Sequence, residues 1–392
     1  MKHSMKISDV KTILAGGTTG RNWLFVKVET SNGLIGYGES SLESREQTTE
    51  TAISELKRYL IGKDPTEIER HWQAMYRGSF WRGGPVLCSA ISGVDQCLWD
   101  LLGKSLGCPV FKLLGGPCRD KVKTYTHVAG LTPEDLAENA KRMVNEGFKA
   151  LKLLTDGANS YDIISIPNKV EVMERRPIRQ TLARVEAVRN AVGEGVDLML
   201  DAHGRLDPAT ASILASELEP YDLLFLEEPV PPDSLGALQR VAEKSKVPIA
   251  AGERSYTKFG FWELIQSRAV DVIQPDLCHA GGITECKKIA SIAECNYISI
   301  SPHNPNSPLA TAVSLHLDFS APNFLIQEMI PNEIGPRKGV LKKQPEFEDG
   351  YLKLPTGPGF GVELDEDSLG NYPFKGEDLP HVAYDDGSVA DW

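Results

Sequence analysis

The 392-residue sequence predicts an α/β fold: a (β/α)7β TIM-type barrel with an N-terminal α+β capping domain that the C-terminal tail completes. The first observation is a repeat, because eight short apolar segments alternate with amphipathic segments between residues 123 and 329. The second is that residues 1–120 lack this repeat. We therefore expect a capping domain at 1–120, a barrel at 121–329, and a tail at 330–392 that packs back on the capping domain.

The predicted capping domain begins with a β-hairpin. Residues 22–40, NWLFVKVETSNGLIGYGES, are apolar on both sides of Ser31-Asn32-Gly33, a sequence that favours a tight turn. Helical periodicity follows at about residues 43–60, 65–78 and 85–106. Strands that precede a run of helices are typical of an α+β domain.

The barrel strands are predicted from short apolar runs that end in polar residues. They cover residues 123–130, 149–155, 197–203, 223–229, 248–254, 271–277, 297–304 and 324–329. Helical patterns between them imply parallel strands with crossover helices. A closed barrel is favoured over an open sheet, because no dinucleotide-binding glycine fingerprint follows any strand. The long connection at 156–177 fits a lid, an interface element or a plain surface excursion.

Composition argues against several kinds of partner. The net charge of −12 disfavours nucleic acid and anionic membranes. No run approaches the roughly 20 apolar residues of a membrane span, and the N-terminus lacks the apolar core of a signal peptide. Seven cysteines without a CxxC pair are typical of buried, reduced thiols. We expect a cytoplasmic protein with a small-molecule substrate.

Three carboxylates mark the ends of consecutive predicted strands. Asp201, Glu227 and Glu253 are spaced 26 residues apart, one βα unit each time. Adjacent parallel strands lie about 5 Å apart, so these acids converge at the barrel face where such folds keep their sites. Convergent carboxylates repel one another unless a cation neutralises them, and oxygen ligands of this kind suit Mg²⁺. Of the pair Glu227 and Glu228, one faces inward, and Glu228 is the candidate for pairing with a cation at the rim.

Two histidines flank this predicted metal site. Asp276 and His303 end the sixth and seventh strands, and an Asp beside a His orients the ring and raises its basicity. His203 lies two residues beyond Asp201, so both side chains point to the same side. The other histidines are interpreted as structural, since the sequence gives them no such partners; they are residues 3, 71, 127, 279, 316 and 381.

Further polar residues border the same predicted pocket. Lys152 on the second strand is a candidate for binding a substrate carboxylate, and Glu328 on the eighth lies beside it. Arg205 either binds a carboxylate at the rim or neutralises Glu228. A metal with a carboxylate-paired histidine and a second histidine opposite suits removal of a proton α to a carboxylate.

The chain resembles the enolase superfamily in its mandelate racemase-like branch, and within it the D-galactonate dehydratase family. The resemblance covers nearly the whole chain and rests on YRGSFWRGGPVLCSAISGVDQCLWDLLGK (76–104), DAHGR (201–205), LEEPV (226–230), PIAAGER (248–254), QPDLCHAGGITECKKIA (274–290), SPHNP (301–305), QEM (327–329) and DDGSVADW (385–392).

That resemblance implies roles for the candidate residues. It implies one Mg²⁺ held by Asp201, Glu227 and Glu253. It implies that His303, oriented by Asp276, removes the C2 proton, and that His203 protonates the departing C3 hydroxyl. Glu328 is then expected to hydrogen-bond the substrate carboxylate. Arg82 and Asn304 join Lys152 and Arg205 as expected substrate-binding residues, and self-association of the chain is expected.

The resemblance predicts an aldonate dehydratase that yields a 2-keto-3-deoxy acid, with D-galactonate as the first candidate substrate. The long 156–177 connection and Asn304 beside the base depart from galactonate dehydratases, so a gluconate, arabinonate or mannonate type of acid is the alternative. Racemases of this branch carry a K-x-K pair, whereas Lys152 is followed by Leu153 and Leu154. A racemase, epimerase or cycloisomerase is therefore less favoured. A non-catalytic barrel is disfavoured because all three acids are present.

Overall fold

The computed structural model describes residues 5–17, 21–155, 170–173, 176–332, 335–376 and 381–391. The capping region is a three-stranded antiparallel sheet packed against helices. Its strands are β1 (Ile7–Gly16), β2 (Asn22–Thr30) and β3 (Ile35–Glu39), in that spatial order. The turn between β2 and β3 places Gly33 at a φ of 85°, as the hairpin prediction requires. Strand β1 was not foreseen from the sequence.

Helices follow this sheet close to the predicted positions. They are α1 (Glu46–Leu60), α2 (Ile68–Arg77), α3 (Pro85–Leu106) and the short α4 (Val110–Leu113). Helix α3 begins with a proline and ends at Gly107, whose φ of 67° closes the helix in the left-handed conformation. Much of α3 is buried because it packs against β3 on one side and the barrel on the other.

All eight predicted barrel strands are present. They are β4 (Lys121–His127), β5 (Ala150–Leu154), β7 (Asp197–Asp201), β8 (Leu223–Glu227), β9 (Ile249–Ala251), β10 (Val272–Ile273), β11 (Ser299–Ile300) and β12 (Gln327–Glu328), while β6 (Val170–Met173) lies in the connection after β5. The helices between them are α5 (Pro133–Asn145), α6 (Ile178–Val192), α7 (Pro208–Glu217), α8 (Leu235–Ala242), α9 (Thr257–Gln266), α10 (Gly282–Glu294) and α11 (Pro308–Ser320).

Parallel pairing runs round the whole ring of barrel strands. Neighbours from β4 to β11 pair in chain order, omitting β6. Strand β12 pairs with β4, and Phe324 just before β12 pairs with Ile300 of β11. The predicted (β/α)7β barrel is therefore confirmed. Its interior is filled by apolar side chains that include Tyr125, Met199 and Phe225, so the barrel is a packed core that fixes the strand ends.

The tail contacts more than the capping region. Its elements are β13 (Phe347–Glu348), β14 (Tyr351–Lys353), α12 (Glu366–Leu369) and β15 (His381–Tyr384). Strand β14 pairs antiparallel with β4 of the barrel, whereas Glu366 accepts a hydrogen bond from Tyr37 of the capping sheet. Strand β15 pairs in parallel with β6.

Most of the predicted long connection lies outside the described residues, and only 170–173 and 176–177 of it are described. Among the described helices, none has the length and hydropathy of a membrane span. The cysteines are free thiols, and two of them, Cys118 and Cys295, are exposed, so the expectation that all are buried was wrong.

Candidate active site

The three predicted metal ligands converge at the carboxyl ends of neighbouring strands. Asp201 ends β7, Glu227 ends β8 and Glu253 follows β9. One carboxylate oxygen from each lies within 4.8 Å of the others. This spacing allows one cation to contact all three side chains, which is what the 26-residue interval predicted.

Lys152 lies among these acids. Its Nζ is 3.1 Å from Asp201 Oδ2 and 3.0 Å from Glu227 Oε2, and the side chain is 1% exposed. It is also 3.5 Å from Glu328 Oε1. Burial alone would lower the pKa of Lys152, but the charges of Glu227 and Glu328 hold that pKa well above its usual range. Lys152 is therefore a buried ammonium within a carboxylate cluster.

One ammonium does not satisfy the cluster. Glu227 Oε1 is buried and accepts no hydrogen bond within the described part of the chain. Burial, together with the negative charge of Asp201, raises the pKa of Glu227 well above its usual range. A divalent cation would supply both the missing contact and the missing positive charge, so the all-oxygen donor set fits Mg²⁺.

His303 stands beside the Glu253 end of the triad. Its Nδ1 is 2.8 Å from Asp276 Oδ2, which leaves Nε2 directed at the site, 3.3 Å from Glu253 Oε2. Burial alone would lower the pKa of His303, but Glu253, Glu328 and the hydrogen bond with Asp276 raise it to about 10. A cation bound by Glu253 would offset the negative charge of Glu253. It would therefore lower the pKa of His303, as a general base requires.

Asp276 is itself held by several donors. Its Oδ1 accepts from Cys278 N at 2.5 Å, and its Oδ2 accepts from Asn306 Nδ2 at 3.0 Å. His279 Nε2 lies 3.6 Å from the same Oδ2, and its Nδ1 contacts Ser89 Oγ at 2.9 Å. Treating His279 as a histidine without such a partner was therefore wrong. Its spacing of three residues from Asp276 was the available signal.

His203 occupies the opposite, Asp201 end of the triad. Its backbone N–H donates to Asp201 Oδ1 at 2.8 Å and its Nε2 is 3.2 Å from Asp201 Oδ2. The residue has a φ of 47°, a left-handed conformation that is uncommon outside glycine and occurs at functional sites. Gly204 follows at a φ of 67°, and a Cβ there would lie 2.2 Å from Arg254 Nη2.

The rim beyond the triad is organised by Glu228 and Arg254. Arg254 Nη2 is 2.5 Å from Glu228 Oε2, and it also donates to the carbonyl oxygen of His203 at 3.3 Å. The prediction that Glu228 turns to a cation at the rim thus agrees with the geometry, and the cation is Arg254. Arg205, two residues after His203, is also buried. Its role in substrate binding stays a prediction.

Glu328 closes the other side of the cluster. It contacts Lys152 and the Nε2 of His127, and Oε2 accepts from Asn304 N at 2.7 Å. Burial alone would raise the pKa of Glu328, but Lys152 and His303 hold it well below its usual range. His127 therefore belongs to the site, and interpreting it as having no such partner was wrong. Its position at the end of β4 follows the same rule that located the acids.

The remaining two predicted residues differ in position. Asn304 is buried beside Glu328: its backbone N–H donates to that carboxylate, and its Nδ2 donates to Thr311 Oγ1 at 2.8 Å. Arg82 is exposed, and its guanidinium lies 5.5 Å from the centre of the Tyr76 ring. The substrate-binding roles of Arg82 and Asn304 stay predictions.

This arrangement has the parts of a proton-transfer site. The carboxylate triad can hold a cation, and histidines stand at both ends of it, His203 by Asp201 and His303 by Glu253. The pairing with Asp276 fixes Nδ1 of His303 and leaves Nε2 to exchange a proton. A substrate placed on the cation would have one histidine on each side.

Comparisons with known proteins agree with this geometry. Residues 5–115 match the family described as mandelate racemase / muconate lactonizing enzyme, N-terminal domain. Residues 135–368 match the family described as enolase C-terminal domain-like. Two relatives named D-galactonate dehydratase, from Ralstonia pickettii and Pectobacterium atrosepticum, are each 42% identical to this chain. Each alignment covers 94% of this chain and 96% of the relative.

Solved structures share the whole fold. An enolase from Pantoea ananatis, with bound D-gluconate and Mg, has a TM-score of 0.90 and 32% identity, over 98% of this chain and 99% of its own. A member of the enolase superfamily from Salmonella Typhimurium has a TM-score of 0.86 and 32% identity, over 94% of this chain and 98% of its own.

Proposed function

The chain belongs to the mandelate racemase/muconate lactonizing enzyme branch of the enolase superfamily, and on this premise we propose that it is a Mg²⁺-dependent acid-sugar dehydratase. The reaction breaks the C2–H and C3–O bonds of an aldonate and releases water. The enol product then tautomerises to a 2-keto-3-deoxy acid. The observation that carries the proposal is the placement of His203 and His303 at opposite ends of one carboxylate triad.

The first proposed role of the chain is to hold the charged groups of the reaction. Asp201, Glu227 and Glu253 would hold Mg²⁺, and the ion would neutralise the negative charge that develops on the substrate carboxylate after loss of the C2 proton. Lys152, buried beside Asp201 and Glu227, adds a fixed positive charge to the same place. This charge supports the proposal that Lys152 contacts the substrate carboxylate.

His303 is proposed to remove the C2 proton. Its Nδ1 is engaged by Asp276, so Nε2 receives the proton, and Asp276 stabilises the imidazolium that forms. Cys278 N and Asn306 Nδ2 keep the Asp276 carboxylate in place. The electron pair of the broken C2–H bond forms the C2=C3 double bond, and the C3–O pair leaves with the hydroxyl oxygen.

His203 is proposed to protonate that departing hydroxyl, so that it leaves as water. Its backbone conformation and the hydrogen bond to Asp201 direct the ring at the triad from the side opposite His303. Glu328 is proposed to orient Lys152 and His127. A direct hydrogen bond from Glu328 to the substrate carboxylate, as the family resemblance implies, requires a proton on one of the two groups.

D-galactonate is the first substrate to test, because two relatives at 42% identity are named D-galactonate dehydratase. D-gluconate is the second, since it is bound in the Pantoea ananatis structure at a TM-score of 0.90. We further propose that the protein self-associates and that it is cytoplasmic. The free cysteines support the cytoplasmic location.

The experiment that tests the function is a screen of acid sugars with Mg²⁺, in which the 2-keto-3-deoxy product is detected as its semicarbazone. A dehydratase gives keto acid from at least one aldonate, and EDTA abolishes the signal. Formation of C2 epimers without keto acid would instead identify a racemase or epimerase.

A further inference from the structure

His279 connects the capping region to the partner of the proposed base. Its Nδ1 is 2.9 Å from Ser89 Oγ of α3, and its Nε2 is 3.6 Å from Asp276 Oδ2. The same Oδ2 accepts a hydrogen bond from His303 Nδ1 at 2.8 Å. Ser89, His279, Asp276 and His303 therefore form one continuous chain of contacts, which runs from a capping helix to the nitrogen that is proposed to take the C2 proton.

The loop after β10, which carries the His279 ring, is docked on the same helix. Gln96 Nε2 of α3 donates to Leu277 O at 2.8 Å, and Ser92 Oγ of α3 accepts from Gly281 N at 2.9 Å. Gln96 and Ser92 are both buried. These contacts fix the backbone of the loop against α3, so the position of the His279 ring depends on the docking of the capping region.

The Ser89 hydroxyl can decide which nitrogen of His279 carries the proton. Burial lowers the pKa of His279, so the ring is neutral at pH 7 and has a single N–H. The hydroxyl has one proton and two acceptors within reach, Pro85 O at 2.7 Å and His279 Nδ1 at 2.9 Å. Pro85 O lies in the first turn of α3 and is already the acceptor of the helical N–H four residues on, so the hydroxyl proton is available to Nδ1.

Electrostatics favour the same tautomer. With the proton on Nδ1 of His279, the lone pair of Nε2 would face the Asp276 carboxylate, and two acceptors would repel each other. With the proton on Nε2, an N–H dipole points at Oδ2 instead. At 3.6 Å this is a dipole–charge interaction rather than a hydrogen bond, and the low polarity of a buried site strengthens it. The Nε2–H tautomer therefore stabilises the carboxylate that orients His303.

We propose that Ser89 and His279 are positioning residues for the base: the Ser89 hydroxyl donates to Nδ1 of His279, and the resulting Nε2–H holds the Asp276 carboxylate in place behind His303. The proposal rests on the proposed function, in which His303 removes the C2 proton. It gives helix α3 of the capping region a part in proton removal, in addition to covering the barrel face.

Two amide substitutions of His279 separate the two sides of its ring. In His279→Gln the amide nitrogen reaches the place of Nε2, and the amide can turn an N–H to Asp276 without help from Ser89. In His279→Asn the shorter amide occupies the place of Nδ1, and the contact with Asp276 is lost. His279→Gln should keep kcat within about threefold of wild type, whereas His279→Asn should lower kcat by about tenfold with KM unchanged. Equal losses of kcat in the two variants would overturn the role of the Asp276 contact.

A double-mutant cycle tests the part of Ser89. Ser89→Ala removes the hydroxyl proton, and it should lower kcat and the rate of C2 exchange in D2O together, by about tenfold. In the His279→Gln background the same change should have no further effect on kcat, because an amide has no tautomer to fix.

Ser92→Ala is the matched control for this cycle. It lies one turn along α3 and removes a contact with the loop after β10 without removing the hydroxyl beside the His279 ring. It should keep kcat within about threefold of wild type. A loss from Ser89→Ala that persists in the His279→Gln background, or that Ser92→Ala reproduces, would show that Ser89 serves only in packing and would overturn the proposal.

The tautomer can also be observed without substrate. Two-dimensional 1H–15N NMR of the imidazole groups distinguishes a protonated from an unprotonated ring nitrogen, and His279→Gln identifies the His279 signals by their loss. The wild type should carry its proton on Nε2, and Ser89→Ala should shift the population toward Nδ1. A wild-type ring protonated on Nδ1 would overturn the proposal even in an active dehydratase. By contrast, a wild type with the Nε2–H tautomer that dehydrates no acid sugar would refute the proposed function, and the catalytic role of this contact with it.

Discussion

At the residue scale, the site depends on which carboxylates face inward. Glu227 and Glu228 are adjacent, yet Glu227 contacts Lys152 and has a carboxylate oxygen within 4.8 Å of those of the other triad acids, whereas Glu228 pairs with Arg254. Glu228 has a φ of 38°, which turns its side chain away from the course of the strand. The sequence predicted that one of the two faces the metal site. The alternation of side chains along a strand does not predict the backbone turn at Glu228.

This difference gives a matched pair of variants. Glu227→Gln should weaken Mg²⁺ binding by more than the roughly 10- to 100-fold that loss of an outer partner typically costs, because it removes a direct ligand. Glu228→Gln, one residue away, should stay within that smaller range. Calorimetric titration with Mg²⁺ measures both, and equal losses would contradict the assignment of the triad.

Lys152 gives a second residue-scale prediction. Lys152→Met leaves buried carboxylates without their ammonium, and removal of one partner from a buried charge cluster costs about 3–5 kcal/mol. Urea unfolding in EDTA should show this loss, and Mg²⁺ should restore part of it. The exposed Lys244→Met is the control, with an expected change within about 0.5 kcal/mol. A Lys152→Met protein as stable as the control would contradict the charge balance described for the cluster.

At the scale of elements, strand ends could be predicted better than contacts between elements. The period of the βα units located Asp201, Glu227, Glu253, Asp276 and His303, because one physical rule places every strand end at one face. His127 obeys the same rule but was interpreted as structural, since its partner Glu328 lies 201 residues away. Asn306 was missed because its role depends on the path of the loop after β11.

Helix α11 carries a histidine whose titration couples to folding. His316 is fully buried, accepts a hydrogen bond from Phe111 N of α4 at 3.1 Å, and burial lowers its pKa to about 4. The unfolded chain therefore binds a proton between pH 6.5 and 4 that the folded chain does not. Stability from this group is full above pH 6.5 and falls with decreasing pH, by about 2 kcal/mol between pH 7 and pH 5.

The variant His316→Asn tests this coupling, since the amide oxygen can accept the Phe111 hydrogen bond without titrating. Chemical unfolding at pH 7 and pH 5 should show a loss for the wild type that is about 2 kcal/mol larger than for the variant. Identical pH dependence in both proteins would show that His316 binds its proton equally well in the folded state.

At the scale of the whole molecule, the capping region and the barrel share buried polar contacts as well as apolar packing. Glu39 at the end of β3 is buried and accepts from Ser307 N at 3.1 Å and Ala310 N at 3.2 Å, at the start of α11. Trp72 Nε1 of α2 donates to Gly281 O at 2.8 Å, just before α10. These contacts hold the capping region over the barrel face that carries the triad.

The fold class was predictable because periodicity and strand spacing are local properties. The course of the tail was not, since its strands pair with β4 and β6 through partners that lie about 200 residues away in the sequence. The predicted domain limits at 120 and 329 stay predictions. The identity of the sugar depends on residues at the mouth whose contacts a linear pattern does not encode.

The central claim is that His303 removes the C2 proton and that His203 protonates the departing hydroxyl. Deuterium exchange at C2 tests this claim most directly. The measurement is proton NMR of the acid sugar in D2O with Mg²⁺, for the wild type, His203→Asn and His303→Asn. We expect His203→Asn to exchange the C2 proton without forming keto acid, and His303→Asn to do neither. Keto acid formation by His203→Asn with loss of C2 exchange would contradict the account.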